Sequence, residues 1–247
     1  MRTVNKCRSM VVPNLRILLL ALSMLLASSF TAAASTIVTI PTGTILSGGP
    51  VSAQATFSIF DDFIQIVLEN LQVNPKDVAQ NLSDLAFSFS TGQTSGTLES
   101  SSGMERTVNS NKTYTDGPTV DTGWALETFT LADGPGLRLY LLGTSTAPTH
   151  TIIGPSDSGG IYSNANGSIK GNRPHNPFLA GPVTFDISVP GLHADAQITA
   201  VEFSFGTSEG TNFELVPPPT VPEPSTFLLL GAGLGGLVFI RRRSHMS

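Results

Sequence analysis

The middle of this chain, residues 35–216, predicts an all-β fold: a two-sheet β-sandwich of jelly-roll or Ig-like type with one short helix. Three observations lead there. Short runs alternate apolar and polar residues with a period of two, as half-buried strands do. Gly, Pro, Asn and Asp break these runs every ten residues or so, the spacing of turns in a sandwich. Charged residues are only 13% of the chain, and the segment is long enough to bury one core.

Before this domain, Arg2, Lys6, Arg8 and Arg16 precede an apolar run from Ile17 to Leu26, and small residues follow as far as Ala32-Ala33-Ala34. That order of charged, apolar and small residues predicts a secretory signal peptide over 1–34, cleaved between Ala34 and Ser35. A run of about ten residues is too short to span a bilayer as a helix. The only cysteine, Cys7, lies ahead of the apolar run, so cleavage leaves a mature chain with no thiol. Disulfides, cysteine nucleophiles and thiolate metal ligands are thereby excluded.

Within the domain, Val51, Ala53, Ala55, Phe57 and Ile59 alternate with polar neighbours. Phe60-Asp61-Asp62-Phe63 then reads as a hairpin turn into Ile64, Ile66 and Leu68. Asn74 and Pro75 predict the cap and first turn of a short helix over 75–85, with Val78, Leu82 and Leu85 on one face. Leu85, Phe87 and Phe89 begin a strand pattern. Residues 124–131 and 137–142 flank Asp133-Gly134-Pro135-Gly136, a second hairpin signal. Val183, Phe185, Ile187 and Val189 form a strand ended by Pro190-Gly191. Val201, Phe203 and Phe205 form the next, and 213–216 the last. Two polar stretches, 91–122 and 144–182, lack periodicity and are expected as loops or irregular edge strands.

Six cations, Lys76, Arg106, Lys112, Arg138, Lys170 and Arg173, face all 18 acids between Asp61 and Glu223, so the exported body is near −12 where the whole chain is −5. That balance disfavours nucleic acid as a partner. Asp157-Ser158-Gly159-Gly160 is similar to the nucleophile segment of chymotrypsin-like proteases. His150 is the only histidine upstream, however, and no Asp separates it from Asp157, so the order that such a triad requires is missing. His150, His175 and His193 have no i,i+4 or His-x-His pairing for zinc. Asp61, Asp62, Asn164 and Asn166 are candidate calcium ligands by residue type, and are equally the residues of ordinary turns. No cofactor motif is present. Trp124 is the one tryptophan able to serve a glycan-stacking platform; the competing reading places it in the core.

After the domain, residues 217–225 form a proline-rich stalk containing Val221-Pro222-Glu223-Pro224. Each proline fixes its own φ and biases the residue before it toward extended backbone. The segment 226–247 follows, with an apolar Gly-rich run to Ile240 and then Arg241-Arg242-Arg243. As a helix that run is roughly 22 Å long, a short transmembrane segment whose arginines stay on the cytoplasmic side. The order Pro-Glu-Pro, apolar run and basic stop resembles the PEP-CTERM sorting domain of exosortase substrates in Gram-negative bacteria that make exopolysaccharide. The resemblance covers only the last tenth of the chain. It implies recognition at Pro222, Glu223 and Pro224, a membrane stop at Arg241, Arg242 and Arg243, and signal peptidase and exosortase as processing partners. It further implies transient membrane anchoring, then delivery to the cell surface or an extracellular polysaccharide matrix. The expectation is a non-enzymatic envelope or matrix protein; the alternatives are a glycan-binding module and a divergent extracellular hydrolase.

Overall fold

The computed structural model of the protein describes residues 35–217 except 42, 144–147, 172 and 209–211. The strands are β1 (Ser35–Thr39), β2 (Ile45–Leu46), β3 (Gly49–Pro50), β4 (Ala53–Phe60), β5 (Phe63–Asn70), β6 (Leu82–Phe89), β7 (Thr97–Val108), β8 (Tyr114–Val120), β9 (Ala125–Leu131), β10 (Gly134–Tyr140), β11 (Ile152–Ile153), β12 (Phe178–Ser188), β13 (Ile198–Phe205) and β14 (Phe213–Val216). Twelve of them join in one sheet, and β2 pairs with β3 alone.

The large sheet has two halves. One runs β1-β4-β5-β12-β7-β8, with β12 hydrogen-bonded to β5 on one side and β7 on the other. The other runs β9-β10-β6-β13-β14. The two-residue β11 joins them, parallel to β12 and antiparallel to β6. Apolar residues of both halves meet in one core. Phe57 of β4 lies 5.6 Å from Phe87 of β6, and Trp124, just before β9, lies 5.2 Å from Phe185 of β12. Both separations are those of stabilising aromatic pairs.

The alternating runs become β4, β5, β12, β13 and β14 as the sequence predicts, and the β4–β5 hairpin pairs Phe60 with Phe63. Two expectations are corrected. The helix over 75–85 is a single 3₁₀ turn, Val78–Gln80, capped by Asp77 and boxed by Gln80. It ends because Asn81 turns extended and Leu82 enters β6, a strand buried along its whole length. The face of β6 away from the main core is covered too: Ala86 packs with Leu131 and Ala200, and Ser88 meets Thr199 at 2.8 Å. The second correction concerns 91–122. There β8 is an irregularly paired edge strand, within the expectation, but the twelve-residue β7 lies inside the sheet, between β12 and β8. Their hairpin turns at Asn109 to Thr113, with Lys112 at φ 73°.

The registers put particular loops at each end of the body. Turn 61–62 and loop 189–197 are tied by Asp62 N–H to Leu192 O and by Gly191 N–H to the Asp62 carboxylate, while Gln93 donates to Gly191 O at 2.7 Å. Ser35 pairs with Ser58 beside this end, so β1 runs away from it. Val216 pairs with Val201, near the start of β13, so β14 runs toward it. At the other end lie loops 71–81, 109–113 and 148–177.

Candidate functional site

The sorting residues Pro222, Glu223 and Pro224, the stop Arg241 to Arg243 and the transmembrane expectation all lie outside the described residues, as does Ala34. Among the described residues no helix is long and apolar enough to cross a membrane. Ser35, the other side of the expected cleavage bond, is the first residue of β1.

Other candidate residues are engaged in the architecture of loops. The Asp157 carboxylate accepts from Gly159 N–H at 2.9 Å and Ile161 N–H at 3.2 Å, which closes the Gly-rich turn around Ser158. Hydrogen bonding from Ser163, then from these backbone groups, holds Asp157 below the usual carboxylate range. Asp61 and Asp62 accept from Ala194 and Gly191 N–H groups. Asn164 and Asn166 sit in the opposite loops: Asn164 N–H donates to the Asn74 side chain, and Asn166 binds Asp77 and Ser168. The four calcium candidates are therefore two separate pairs, each closing a loop. No cluster of three or more His, Cys, Asp or Glu suited to a metal is found among the described residues.

The histidines are likewise apart. His150 has a left-handed backbone, φ 67°, and its ring bridges the Thr122 carbonyl at 3.0 Å and Glu105 at 2.9 Å. Its own carbonyl accepts the Trp124 indole N–H at 3.1 Å. Trp124 is thus a core residue, 5% exposed, and offers no stacking face. His175 reaches the Pro148 carbonyl, and His193 stands exposed near Asp61.

Sequence reasoning missed a polar network that joins β7, β8 and the 148–177 loop. Arg106 on β7 forms a two-pronged ion pair with Asp116 on β8, at 2.6 and 2.9 Å, across register-paired positions. Its guanidinium covers the Tyr114 ring at 3.9 Å and reaches the Tyr162 hydroxyl at 3.2 Å. Tyr162, fully buried, donates to Gly154 O at 2.8 Å. The turn vocabulary Asn109-Ser110-Asn111-Lys112 signals the β7–β8 hairpin, and hence the Arg106–Asp116 pairing, but nothing local announces Tyr162. Beside the network lies a groove of about 240 Å³ lined by Glu69, Asn70, Met104, Arg106 and Gly154. Gly154 is required there, since a Cβ would stand 2.0 Å from Gln72 O.

Burial raises the Tyr162 pKa, against the opposing pull of Arg106. The folded state thus keeps this proton at pH values where the unfolded chain has begun to release it, near pH 10. The stabilisation is complete below that point and is lost as pH rises through the folded value. We expect stability to fall progressively above about pH 10. Tyr162→Phe should flatten that alkaline slope while costing about 1 kcal/mol at neutral pH for the lost hydrogen bonds. Denaturant melts of both proteins at a series of pH values check this; parallel slopes would assign the alkaline loss elsewhere.

At the C-terminus, residues 220–243 match the model of the PEP-CTERM protein-sorting motif. The chain carries a PEP-CTERM sorting signal. The matched span begins two residues before Pro222 and closes on Arg243, so it takes in the Pro-Glu-Pro, the apolar run and the basic stop. The motif marks an exosortase-sorted, exported protein of a Gram-negative bacterium, whose precursor is anchored in the membrane. No curated protein and no solved structure matches the chain.

Proposed function

We propose that this protein is a non-enzymatic component of the cell envelope or exopolysaccharide matrix. In this reading a two-sheet β-sandwich is exported by its signal peptide, held briefly by its C-terminal segment, and released or transferred by an exosortase acting near Pro222-Glu223-Pro224. The observation that carries it is the complete three-part sorting signal placed directly behind the last strand, with Val216 ending β14 and the motif match starting at 220. Supporting it, the side chains that suggest chemistry are committed to structure: Asp157 to its own turn, His150 to Glu105 and Thr122, and Trp124 to the core.

Intact mass spectrometry of protein from culture supernatant and inner membrane tests the reading. The expected released species starts at Ser35 and ends between Pro222 and Ser225. A released species that keeps Arg241 to Arg243 would refute exosortase processing, and a mature chain starting elsewhere would move the signal cleavage.

A further inference from the structure

Both ends of the folded body leave from the same pole. Ser35 pairs with Ser58 next to the 61–62 turn, and Val216 runs out beside Val201 toward the same loops. What is attached beyond each end is membrane-seeking: the apolar run ending at Leu26 on one side and the run starting at Phe227 on the other. The connecting lengths are short. From Val216 to Phe227 the chain reaches at most about 40 Å, and from Leu26 to Ser35 about 32 Å. The body itself is comparably long, since the eleven residues of β12 alone rise about 35 Å.

Charge divides along the same axis. The loops of the tethered pole, 60–63, 90–96, 132–133 and 189–197, contain Asp61, Asp62, Asp133 and Asp195 and no lysine or arginine. The body's three lysines, Lys76, Lys112 and Lys170, and Arg173 all lie in loops of the opposite pole, where they outnumber Asp77 and Asp157.

Resting on the sorting reading above, we propose that this protein stands in the precursor as an oriented head. The pole formed by loops 60–63, 90–96, 132–133 and 189–197 faces the lipid headgroups, and the lysine-bearing pole points outward. The two chain exits set this orientation, and the inward pole, with no lysine or arginine, is not drawn down flat onto the headgroups. The stalk between Val216 and the Pro-Glu-Pro is thereby left open to an enzyme at the membrane surface. A basic pole in that position would lie down on the headgroups and cover the stalk.

The test uses the uncleaved precursor, with its C-terminal segment retained, in vesicles of phosphatidylethanolamine and phosphatidylglycerol that carry a headgroup acceptor dye. Cys7→Ser keeps both apolar runs and removes the chain's only cysteine, so His193→Cys and Arg173→Cys on that background each give a single labelling site. The two flank β12 at opposite poles, and both side chains are exposed. Energy transfer to the headgroup dye should be several-fold more efficient from His193→Cys than from Arg173→Cys. Equal or reversed transfer, with the protein floating on the vesicles, would overturn the orientation alone. Failure of the precursor to float with the vesicles would overturn the membrane-segment reading and the orientation with it.

Discussion

Glu223→Ala should abolish release of the protein and leave the full precursor, Arg241 to Arg243 included, in the inner membrane. Glu223 is the only charged residue of the stalk, and it stands between two prolines. Pro222 and Pro224 each fix φ near −65°, and Pro224 biases Glu223 itself toward extended backbone. A carboxylate held on a preset, extended segment is presented to a cleft at little entropic cost, and that is what the substitution removes. The body should be untouched, because β14 ends seven residues earlier at Val216. The expected result is thus a near-complete block in processing with an unchanged far-ultraviolet circular dichroism spectrum. Intact masses of the membrane and supernatant fractions decide it. Normal release of the variant would show that the enzyme reads a different element.

The largest loss of stability from a single polar side chain is expected at Asn70. This residue ends β5, is 4% exposed, and ties three segments together. Its amide donates to Gln80 O at 2.8 Å and Ile152 O at 2.9 Å, and its carbonyl accepts Gln72 N–H at 2.9 Å. The 3₁₀ turn, β11 and the exit from β5 thus share one side chain. Asn70→Ala leaves three backbone groups without their partner, at about 1 kcal/mol or more each, so about 3 kcal/mol in all. For a domain of this size that lowers Tm by roughly 6–12 °C. Thermal and denaturant melts measure it. A loss under about 1 kcal/mol would mean that water entering the adjoining groove restores the bonds.

How much of this was legible in the sequence follows from what each segment buries. Strands β4, β5, β12 and β13 put one face in the core and one outside, so their apolar residues alternate and the strands can be read directly. Strand β7 escapes that reading. Its residues 97–104, Thr-Leu-Glu-Ser-Ser-Ser-Gly-Met, carry little apolar surface; backbone pairing with β12 holds them, and β8 joins on the other side only from Gly103 onward. The 75–85 segment misled for a local reason. The cap is Asp77, boxed by Gln80, and not the expected Asn74, while Leu82 and Leu85 are buried as strand residues of β6, where the pairing with β10 and β13 outweighs one more helical turn.

In the candidate site, a residue pair whose chemistry is local was read correctly by type: Asp61-Asp62 is the turn of the β4–β5 hairpin. The Arg106–Asp116–Tyr162 network was not legible, since Tyr162 arrives from a loop 56 residues away with no periodicity to announce it. Ile153, Ala165, Ile169 and Phe178 join Tyr162 in a second buried cluster at irregular spacing, held by loop hydrogen bonds instead of a strand pattern. The sorting signal was legible in full because its three parts act by composition and order along the chain, without a fold to assemble them.

Strand β8 has a consequence for how these bodies behave when crowded. It is one free margin of the sheet, almost wholly exposed, and it carries Gly117-Pro118 opposite the irregular pairing at Met104 to Arg106. Proline has no N–H to offer an incoming strand, and the irregularity breaks the regular row of backbone groups beside it. Of the other margins β1 has five residues and β14 four, while β9 has seven and carries the charged Glu127. Wherever such bodies are crowded, an open strand margin would zip neighbours into fibres. Along β8 the body resists pairing with a second copy, so contact on that margin falls to side chains and not to shared sheets.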